Sequence, residues 1–317
     1  KDIVMKIHKT TIELGEQCTV QIPVANLPSG TEIDLFAHVF RSKIEGPTVL
    51  LIGGVHGDEI NGVEIARRSV QDEIFESLLC GSVIAVPLLN VYGFINFSRG
   101  FPDGKDVNRG FPGTKSGSLS SRIAHTFTNV ILPAADLAID FHTGGNSIYN
   151  YPQARYTAKD PESLKLATEM NMPCLLKSGL IPKSLRKTAF NKGIPMVVFE
   201  GGESLRIDDF TVSEGLRAIK NVLISRGMIA GEKVEVETHS YTKKTWLRAT
   251  RSGIVIIEKK SGEIVKKGDV LARITNPYNT YQSKVLSKVD GFIFGHNNNP
   301  VINKGDALFH IGYNLNK

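Results

Sequence analysis

The sequence has few features that would cross-link the chain or insert it into a membrane. Its 317 residues include only three cysteines, Cys18, Cys80 and Cys174, which lie far apart without a CxxC pair. This pattern excludes a disulfide scaffold and fits reduced thiols in a reducing compartment. The longest apolar runs are four to eight residues, whereas a helix needs about 20 to cross a bilayer. The N-terminal residues also lack the layout of a signal peptide. We therefore expect a cytoplasmic protein with no membrane partner.

The composition is that of a folded globular protein rather than a disordered or fibrous one. Hydrophobic residues make up 41% of the chain and charged residues 22%, which is enough apolar material for a core without a structural staple. At roughly 150 residues per domain, the length indicates about two domains.

Positive charge is concentrated in the C-terminal part of the chain. The net charge is +6, yet residues 233–317 alone carry 14 Lys and Arg against 7 Asp and Glu, and the residues before them are nearly neutral. No recognition motif accompanies these lysines, so we expect no nucleic-acid partner. A solvated face, attraction of anionic substrates and docking of an acidic partner remain the alternatives.

Four short apolar runs, continuous rather than alternating, divide the first 200 residues: 49–52, 83–89, 137–141 and 196–199. Such runs are typical of strands buried on both faces of a mostly parallel sheet. Stretches of helical periodicity lie between and after them, at 63–78, 119–132, 161–170 and 216–224. The alternation predicts an α/β fold, in which helices flank the sheet.

The character of the sequence changes near residue 230, where helical periodicity gives way to short β segments separated by glycines. Residues 252–271 are echoed by residues 290–308, as SGIV…VKKGDVL and DGFI…INKGDAL. Two such β-turn-β copies predict a small β sandwich. We therefore expect an α/β domain over 1–230 and an all-β domain over 231–317.

Polar residues follow the apolar runs where each predicted strand ends. His56 and Glu59 come after the first run, Asn90 after the second, His142 after the third and Glu200 after the fourth. Ligands bind beyond the carboxyl ends of strands in open α/β sheets. The sequence therefore predicts a site at this edge of the sheet.

Three of these residues are suited to hold zinc. His56 and Glu59 are three residues apart where a strand turns into a helix, so both can face one ion, and His142 would supply a third ligand. Two histidines and a glutamate form an open zinc site with one position left for water. A capping or buried histidine is the alternative for His56, and strand-end placement with a second strand-end histidine favours the metal.

The remaining candidates would act on the substrate. Glu200, followed by two glycines, can take a proton from zinc-activated water and pass it to a leaving amine, although Glu203 could compete for the role. Asn108 and Arg109 present an amide and a guanidinium to a carboxylate. Arg99 can polarise a carbonyl or stabilise an oxyanion.

The order GGVHGDE, DVNRGFPG, DLAIDFHTG and VVFEGGES resembles the succinylglutamate desuccinylase/aspartoacylase family, within the zinc carboxypeptidase clan, over roughly residues 30–230. The resemblance implies a mixed sheet of the zinc-carboxypeptidase type and a hydrolase of amides other than peptide bonds. It implies one zinc ion held by His56, Glu59 and His142. It also implies Glu200 as the catalytic glutamate, Asn108 and Arg109 as the carboxylate-binding pair, and Arg99 as the carbonyl-polarising arginine. Tyr149 and Tyr151 are further candidates for the pocket wall.

The C-terminal repeat resembles the biotinyl/lipoyl-type β domain. Carrier domains hold their modified lysine in the hairpin between the halves, but here that stretch, residues 275–282, contains no lysine. The nearest one, Lys284, is predicted to lie in a strand. We therefore expect no biotin or lipoate, and a structural role instead, either covering the mouth of the active site or forming a homo-oligomer contact.

Together these patterns predict a zinc-dependent amidohydrolase, a deacylase of a small N-acylated amino acid or analogue. Two alternatives remain open. A metallocarboxypeptidase acting on peptides would use the same zinc ligands, and a non-catalytic binding protein would use the basic β domain to dock an acidic partner. Metal content and a substrate panel separate the three.

Overall fold

The computed structural model describes residues 4–26 and 29–315. Within these residues the chain forms a 12-stranded mixed sheet, a four-stranded sheet and a two-stranded sheet. The α-helices are α1 (Ile60–Gln71), α2 (Val91–Ile95), α3 (Leu119–Thr126), α4 (Pro161–Met170), α5 (Leu185–Asn191) and α6 (Asp209–Ser225). The strands are β1 (Met5–Ile7), β2 (Thr10–Ile12), β3 (Gln17–Asn26), β4 (Glu32–Arg41), β5 (Thr48–Ile52), β6 (Ser82–Val86), β7 (Leu137–Gly144), β8 (Ile148–Thr157), β9 (Cys174–Ser178), β10 (Met196–Glu203), β11 (His239–Arg248), β12 (Gly253–Ile257), β13 (Ile264–Val265), β14 (Val270–Thr275), β15 (Gln282–Leu286), β16 (Gly291–Asn297), β17 (Val301–Ile302) and β18 (Ala307–Leu315).

The four apolar runs form the centre of the large sheet, as predicted. They become β6, β5, β7 and β10, which lie side by side in this order and run parallel. Alternate residues of β5 pack into two different cores. Leu50 and Ile52 join the core that contains side chains of α3 and α5, whereas Val49 and Leu51 join the core that contains α1, α4 and α6. Helices therefore cover both faces, which confirms the α/β fold.

Two helices differ from the periodicity that predicted them. The helix expected over 63–78 ends at Gln71, and Glu73 has a φ of 55°, a left-handed conformation that breaks the hydrogen-bond pattern of a right-handed helix. The helix expected over 119–132 is regular only to Thr126. It continues as a π turn over Phe127–Ile131 and a 3₁₀ turn over Leu132–Ala134, which contains Pro133.

The C-terminal part is all β, as predicted, and its strands pair antiparallel with one another. Its two repeat copies share one core. Val255 and Leu271 of the first copy pack in the same cluster as Ile293 and Leu308 of the second. Residues 276–281 connect β14 to β15, and Lys284 lies in β15. The likeness to biotinyl/lipoyl domains stays a prediction.

The large sheet continues from the α/β part into the C-terminal part. β11 runs parallel to β9 and β16 runs antiparallel to β8, so the main chain hydrogen-bonds across the predicted boundary. The division at residue 230 stays a prediction, with α6 ending at Ser225 before it and β11 beginning at His239 after it. Across the described part of the chain, no helix is long and apolar enough to span a membrane.

Candidate functional site

The carboxyl ends of three parallel strands bring the candidate residues together. Glu200 of β10 pairs in register with His142 of β7, and His56 lies in the turn between β5 and α1. Because side chains alternate along a strand, Asp140 and His142 share the sheet face that α3 and α5 cover. The even-numbered residues of β10, which include Glu200, lie on that same face.

A close backbone contact shapes the turn that carries His56 and Glu59. A Cβ atom added to Gly57 would lie 2.0 Å from the carbonyl carbon of Gly93 in α2. Only glycine permits this approach. The motif GGVHGDE therefore fixes where α2 packs, and with it the loop that follows α2.

His56, Glu59 and His142 form a compact buried cluster. Glu59 Oε1 lies 2.8 Å from His56 Nδ1, and Glu59 Oε2 lies 2.7 Å from His142 Nδ1. The two Nδ1 atoms are 3.1 Å apart, and each of the three residues is at most 4% exposed. Thr143 N also donates to Glu59 Oε2 at 3.1 Å, which fixes the carboxylate.

A carboxylate lies behind each histidine. His56 Nε2 is 3.1 Å from Asp106 Oδ1, and His142 Nε2 is 2.8 Å from Asp140 Oδ2. Burial disfavours the charged imidazoles, but Glu59 and these carboxylates outweigh it, so the pKa of both histidines is raised. Burial likewise opposes ionisation of Glu59, but His56 and His142 outweigh it and hold its pKa well below the usual range. Burial also opposes ionisation of Asp106, but the hydrogen bond to His56 and the charges of His56 and Arg99 outweigh it, so the pKa of Asp106 is lowered.

This donor set fits zinc. Two imidazole nitrogens and a carboxylate oxygen converge within 4.8 Å of one another, and the ligands of a tetrahedral zinc ion lie about 3.3 Å apart. Carboxylates that orient the far nitrogen of each ligating histidine are the usual surroundings of such a centre. The separation of 3.1 Å between the Nδ1 atoms of His56 and His142 is close to the ligand spacing around zinc.

Arg99 reaches the cluster of His56, Glu59 and His142 from the loop after α2. Its Nη1 donates to Glu59 Oε1 at 2.8 Å and its Nη2 to Asp106 Oδ2 at 3.2 Å. Asn90 positions this loop, because its side-chain amide donates to the carbonyls of Arg99 and Gly100. Asn90 therefore positions the loop that carries Arg99 and does not itself line the pocket.

Asn108 and Arg109 lie at the rim of the same pocket. Asn108 Oδ1 accepts a hydrogen bond from Leu185 N at 2.8 Å, which ties the pair to the start of α5. Arg109 Nη1 donates to the carbonyl of Asn108 at 2.8 Å, and its side chain is 48% exposed. Its guanidinium can therefore turn toward an incoming carboxylate.

Glu200 is held by two neighbours on β8. Its Oε1 lies 2.9 Å from Nη1 of Arg155, and its Oε2 accepts a hydrogen bond from Asn150 Nδ2 at 2.7 Å. The side chain of Glu200 is 16% exposed. Glu203, the competing glutamate, is instead 2.6 Å from Asn298 Nδ2 and is not among the residues that line the pocket.

One pocket of about 340 Å³ is lined by all seven residues that were predicted to bind metal, to bind substrate or to act in catalysis. It is also lined by Asp140, Asn150, Arg155, Arg186 and Trp246. Tyr149 and Tyr151 are not among its lining residues, and the Tyr149 hydroxyl donates to Asp208.

A larger cavity of about 660 Å³ is lined by Thr48 and Ser82. Since these residues begin β5 and β6, that cavity lies at the amino ends of the strands, opposite the candidate site.

Of the pocket residues that were not predicted, one could have been identified from the sequence pattern. Asp140 interrupts an apolar run two positions before His142, which places both on one strand face. Trp246 is the only tryptophan of the chain, but nothing in the sequence connects it to the site. Asn150 and Arg155 had no signal, because the strand that carries them was not predicted.

Comparison with known proteins gives a consistent result. The sequence model of the succinylglutamate desuccinylase/aspartoacylase catalytic domain matches residues 45–226. The N-alpha-acetyl-L-2,4-diaminobutyric acid deacetylase of Halomonas elongata is 28% identical over 309 residues, which cover 91% of this chain and 89% of that protein.

Solved structures share the fold over nearly the whole chain. The succinylglutamate desuccinylase/aspartoacylase of Rhodobacter sphaeroides is 27% identical and superposes with a TM-score of 0.80, covering 94% of this chain and 96% of its own. The product-bound ectoine utilization protein EutE (DoeB) of Ruegeria pomeroyi is 24% identical, with a TM-score of 0.83 and 99% of each chain covered. The family match spans more than half of the chain and confirms the predicted resemblance. The chain therefore belongs to the succinylglutamate desuccinylase/aspartoacylase family of deacylating hydrolases.

Proposed function

We propose that the chain is a zinc-dependent amidohydrolase that removes the acyl group from a small N-acylated amino acid or a close analogue. The observation that carries this proposal is the convergence of His56, Glu59 and His142 on one point, with Glu200 on the strand next to His142. Zinc bound there would act as a Lewis acid that polarises the acyl carbonyl and lowers the pKa of a water molecule.

The residues around the centre then have separate tasks. Glu200 accepts a proton from the water molecule while the water oxygen forms a bond to the acyl carbon. Glu200 then returns that proton to the nitrogen as the C–N bond breaks. Arg99 lies beside Glu59, where its guanidinium can stabilise negative charge on the former carbonyl oxygen. Asn108 and Arg109 bind the carboxylate of the amino acid. The products are the free acid and the amine.

The size of the pocket supports a small substrate. A volume of about 340 Å³ is at the lower end of the range for sites that bind small molecules. The relative from Halomonas elongata makes N-acetyl-2,4-diaminobutyrate one compound to test, alongside N-acetyl and N-succinyl derivatives of other amino acids.

Amine release from such a panel, with short peptides included, tests the proposal. Zinc-loaded protein should hydrolyse at least one acyl amino acid, and Glu200→Gln should lower its kcat by about 100-fold or more, because proton transfer is lost, while zinc binding is unchanged. Arg206→Gln is the control, since Arg206 is 75% exposed and lies outside the pocket. Cleavage of peptides alone would favour a carboxypeptidase. Near-normal activity of Glu200→Gln would contradict the role of Glu200.

A further inference from the structure

A second cavity lies on the opposite face of the sheet from the candidate site. Side chains alternate along a strand, and two neighbouring residues of β8 divide accordingly. Asn150 lines the candidate site, whereas Tyr151 lines the second cavity. This cavity has a volume of about 270 Å³ and shares no lining residue with the candidate site. We call it the aromatic cavity, because it is lined by four aromatic rings and two carboxylates, those of Tyr151, Phe210, His239, Phe292, Glu214 and Glu237.

The four rings form one continuous wall. The ring centroid of Tyr151 lies 5.5 Å from that of Phe210 and 5.6 Å from that of Phe292. Phe292 in turn stacks on His239, with ring centroids 4.8 Å apart. These rings come from four different elements, α6, β8, β11 and β16. Because the face of an aromatic ring carries partial negative charge, such a wall attracts cations.

The charged groups around the aromatic cavity are negative. Among the described residues that line it, none is a lysine or an arginine. Burial raises the pKa of the Tyr151 hydroxyl, and the charge of Glu214 acts in the same direction. Glu237 is exposed, and the structure shows no ion pair to it within residues 4–26 and 29–315. A cation in the cavity would therefore meet a carboxylate that no other side chain neutralises.

The walls favour a cation that has no N–H groups. A primary ammonium carries three donors, each of which needs an acceptor when it leaves water. Glu214 already accepts hydrogen bonds from Arg217 at both oxygens, at 3.1 and 2.6 Å, and the rings of Phe210 and Phe292 offer no acceptor. A quaternary ammonium has no donor to satisfy, and its methyl groups can contact aromatic rings directly.

We propose that the aromatic cavity is a binding site for a small quaternary ammonium compound. The rings contact its methyl groups, and Glu237 balances its charge at the exposed rim. A volume of about 270 Å³ lies just below the usual range of small-molecule sites, about 300–1,000 Å³, which suits a ligand with few heavy atoms. The site does not depend on the proposed deacylase activity, because the two pockets share no residue.

Three small compounds test the proposal on the full chain. Choline and 3,3-dimethylbutan-1-ol have the same shape and differ in one positive charge, whereas ethanolamine keeps the charge and lacks the methyl groups. Isothermal titration calorimetry at pH 8 and constant ionic strength compares their affinities. Choline should bind saturably and at least about 10-fold more tightly than the neutral compound, as expected for contact with several rings. Ethanolamine should bind more weakly than choline.

Substitution of Phe210 tests the part played by the rings. Phe210→Leu should weaken the binding of choline by about 5-fold or more, whereas Phe210→Tyr should keep it because the ring remains. The side chain is 42% exposed, so the fold should tolerate both changes. Phe36→Leu is the matched control and should bind choline as wild type does, since Phe36 of β4 is 46% exposed and does not line the cavity.

Substitution of Glu237 tests the part played by charge. Glu237→Gln should weaken the binding of choline by about 2- to 5-fold, the range for an exposed ion pair, and leave that of 3,3-dimethylbutan-1-ol unchanged. Glu235→Gln is the control, because Glu235 is exposed and does not line the cavity.

Four results would each overturn the proposal and leave the proposed deacylase intact. They are equal affinity for choline and its neutral isostere, tighter binding of ethanolamine than of choline, no saturation up to about 50 mM choline, and wild-type affinity for choline in either Phe210→Leu or Glu237→Gln.

Discussion

At the scale of single residues, Asp106 and Asp140 each contact one histidine of the proposed metal centre. Asp106 Oδ1 is 3.1 Å from Nε2 of His56, and Asp140 Oδ2 is 2.8 Å from Nε2 of His142. Such a partner fixes the tautomer and orientation of the ring and makes its metal-facing nitrogen more basic. In the proposed zinc centre, the affinity for the metal should therefore depend on these two carboxylates as well as on the ligands.

Asp140→Asn should weaken zinc binding by about 10- to 100-fold, because the amide replaces a charged acceptor with a neutral group. Competition with a chelator of known affinity measures the effect. Asp269→Asn is the matched control, since Asp269 accepts a hydrogen bond from Lys266 N in a turn far along the chain. An affinity equal to that of wild type would show that Asp140 only fills space.

At the scale of elements, the turn from β5 to α1 and the short helix α2 form one unit. Gly57 touches the backbone of Gly93, and Asn90 binds the loop that carries Arg99. The contact sets the distance between Arg99 and the turn that carries His56 and Glu59. A shift of α2 would therefore disturb the site even though α2 supplies no ligand.

Gly57→Ala should lower the free energy of unfolding by about 1–3 kcal/mol, the usual cost of forcing extra volume into a packed site. It should also lower the activity, because α2 must move away from the new methyl group. Chemical denaturation followed by circular dichroism measures the stability. Gly179→Ala is the control, because a Cβ there meets no atom within 4 Å. Equal losses in both variants would contradict this explanation.

At the scale of the whole molecule, two buried histidines lie where the C-terminal strands meet the rest of the sheet. His296 of β16 packs beside Tyr149 of β8, and His310 of β18 stacks on Trp246. Burial lowers the pKa of His296 to about 4. Burial, with the charges of Arg155 and Lys244, lowers the pKa of His310 to about 3.

These shifts make stability depend on pH. Both groups have lowered pKa values in the folded chain, so between pH 6.5 and about 3 the unfolded chain binds more protons, and the free energy of unfolding falls as the pH falls. For His310 the loss between pH 7 and pH 5 is about 2 kcal/mol. Denaturation of wild type and His310→Gln at both pH values measures this loss. The free energy of unfolding of the variant should fall by about 2 kcal/mol less than that of wild type. Equal losses of the free energy of unfolding in wild type and variant would show that His310 is more solvated than its burial here implies.

The central sheet, and the meeting of polar residues at one edge of it, could be predicted from the sequence, because continuous apolar runs predict parallel strands and the residues that follow them lie at their carboxyl ends. His56, Glu59, His142 and Glu200 were expected together on this basis, and they line one pocket; their roles stay predictions. Arg155 and Asn150 could not be found, because their strand reads as a polar, tyrosine-rich segment without a buried run. Trp246 was also missed, because its place in the pocket depends on pairing between β11 and β9, a contact distant in sequence.

Metal analysis tests the central claim most directly. We predict one zinc ion per chain in wild-type protein, and almost none in His142→Ala under the same chelator treatment, because two of the three ligands cannot hold the ion against competition. Glu200→Gln should keep its zinc. Zinc retained by His142→Ala at the wild-type level, or wild-type protein that binds no zinc and still releases amine from its substrate, would contradict the account.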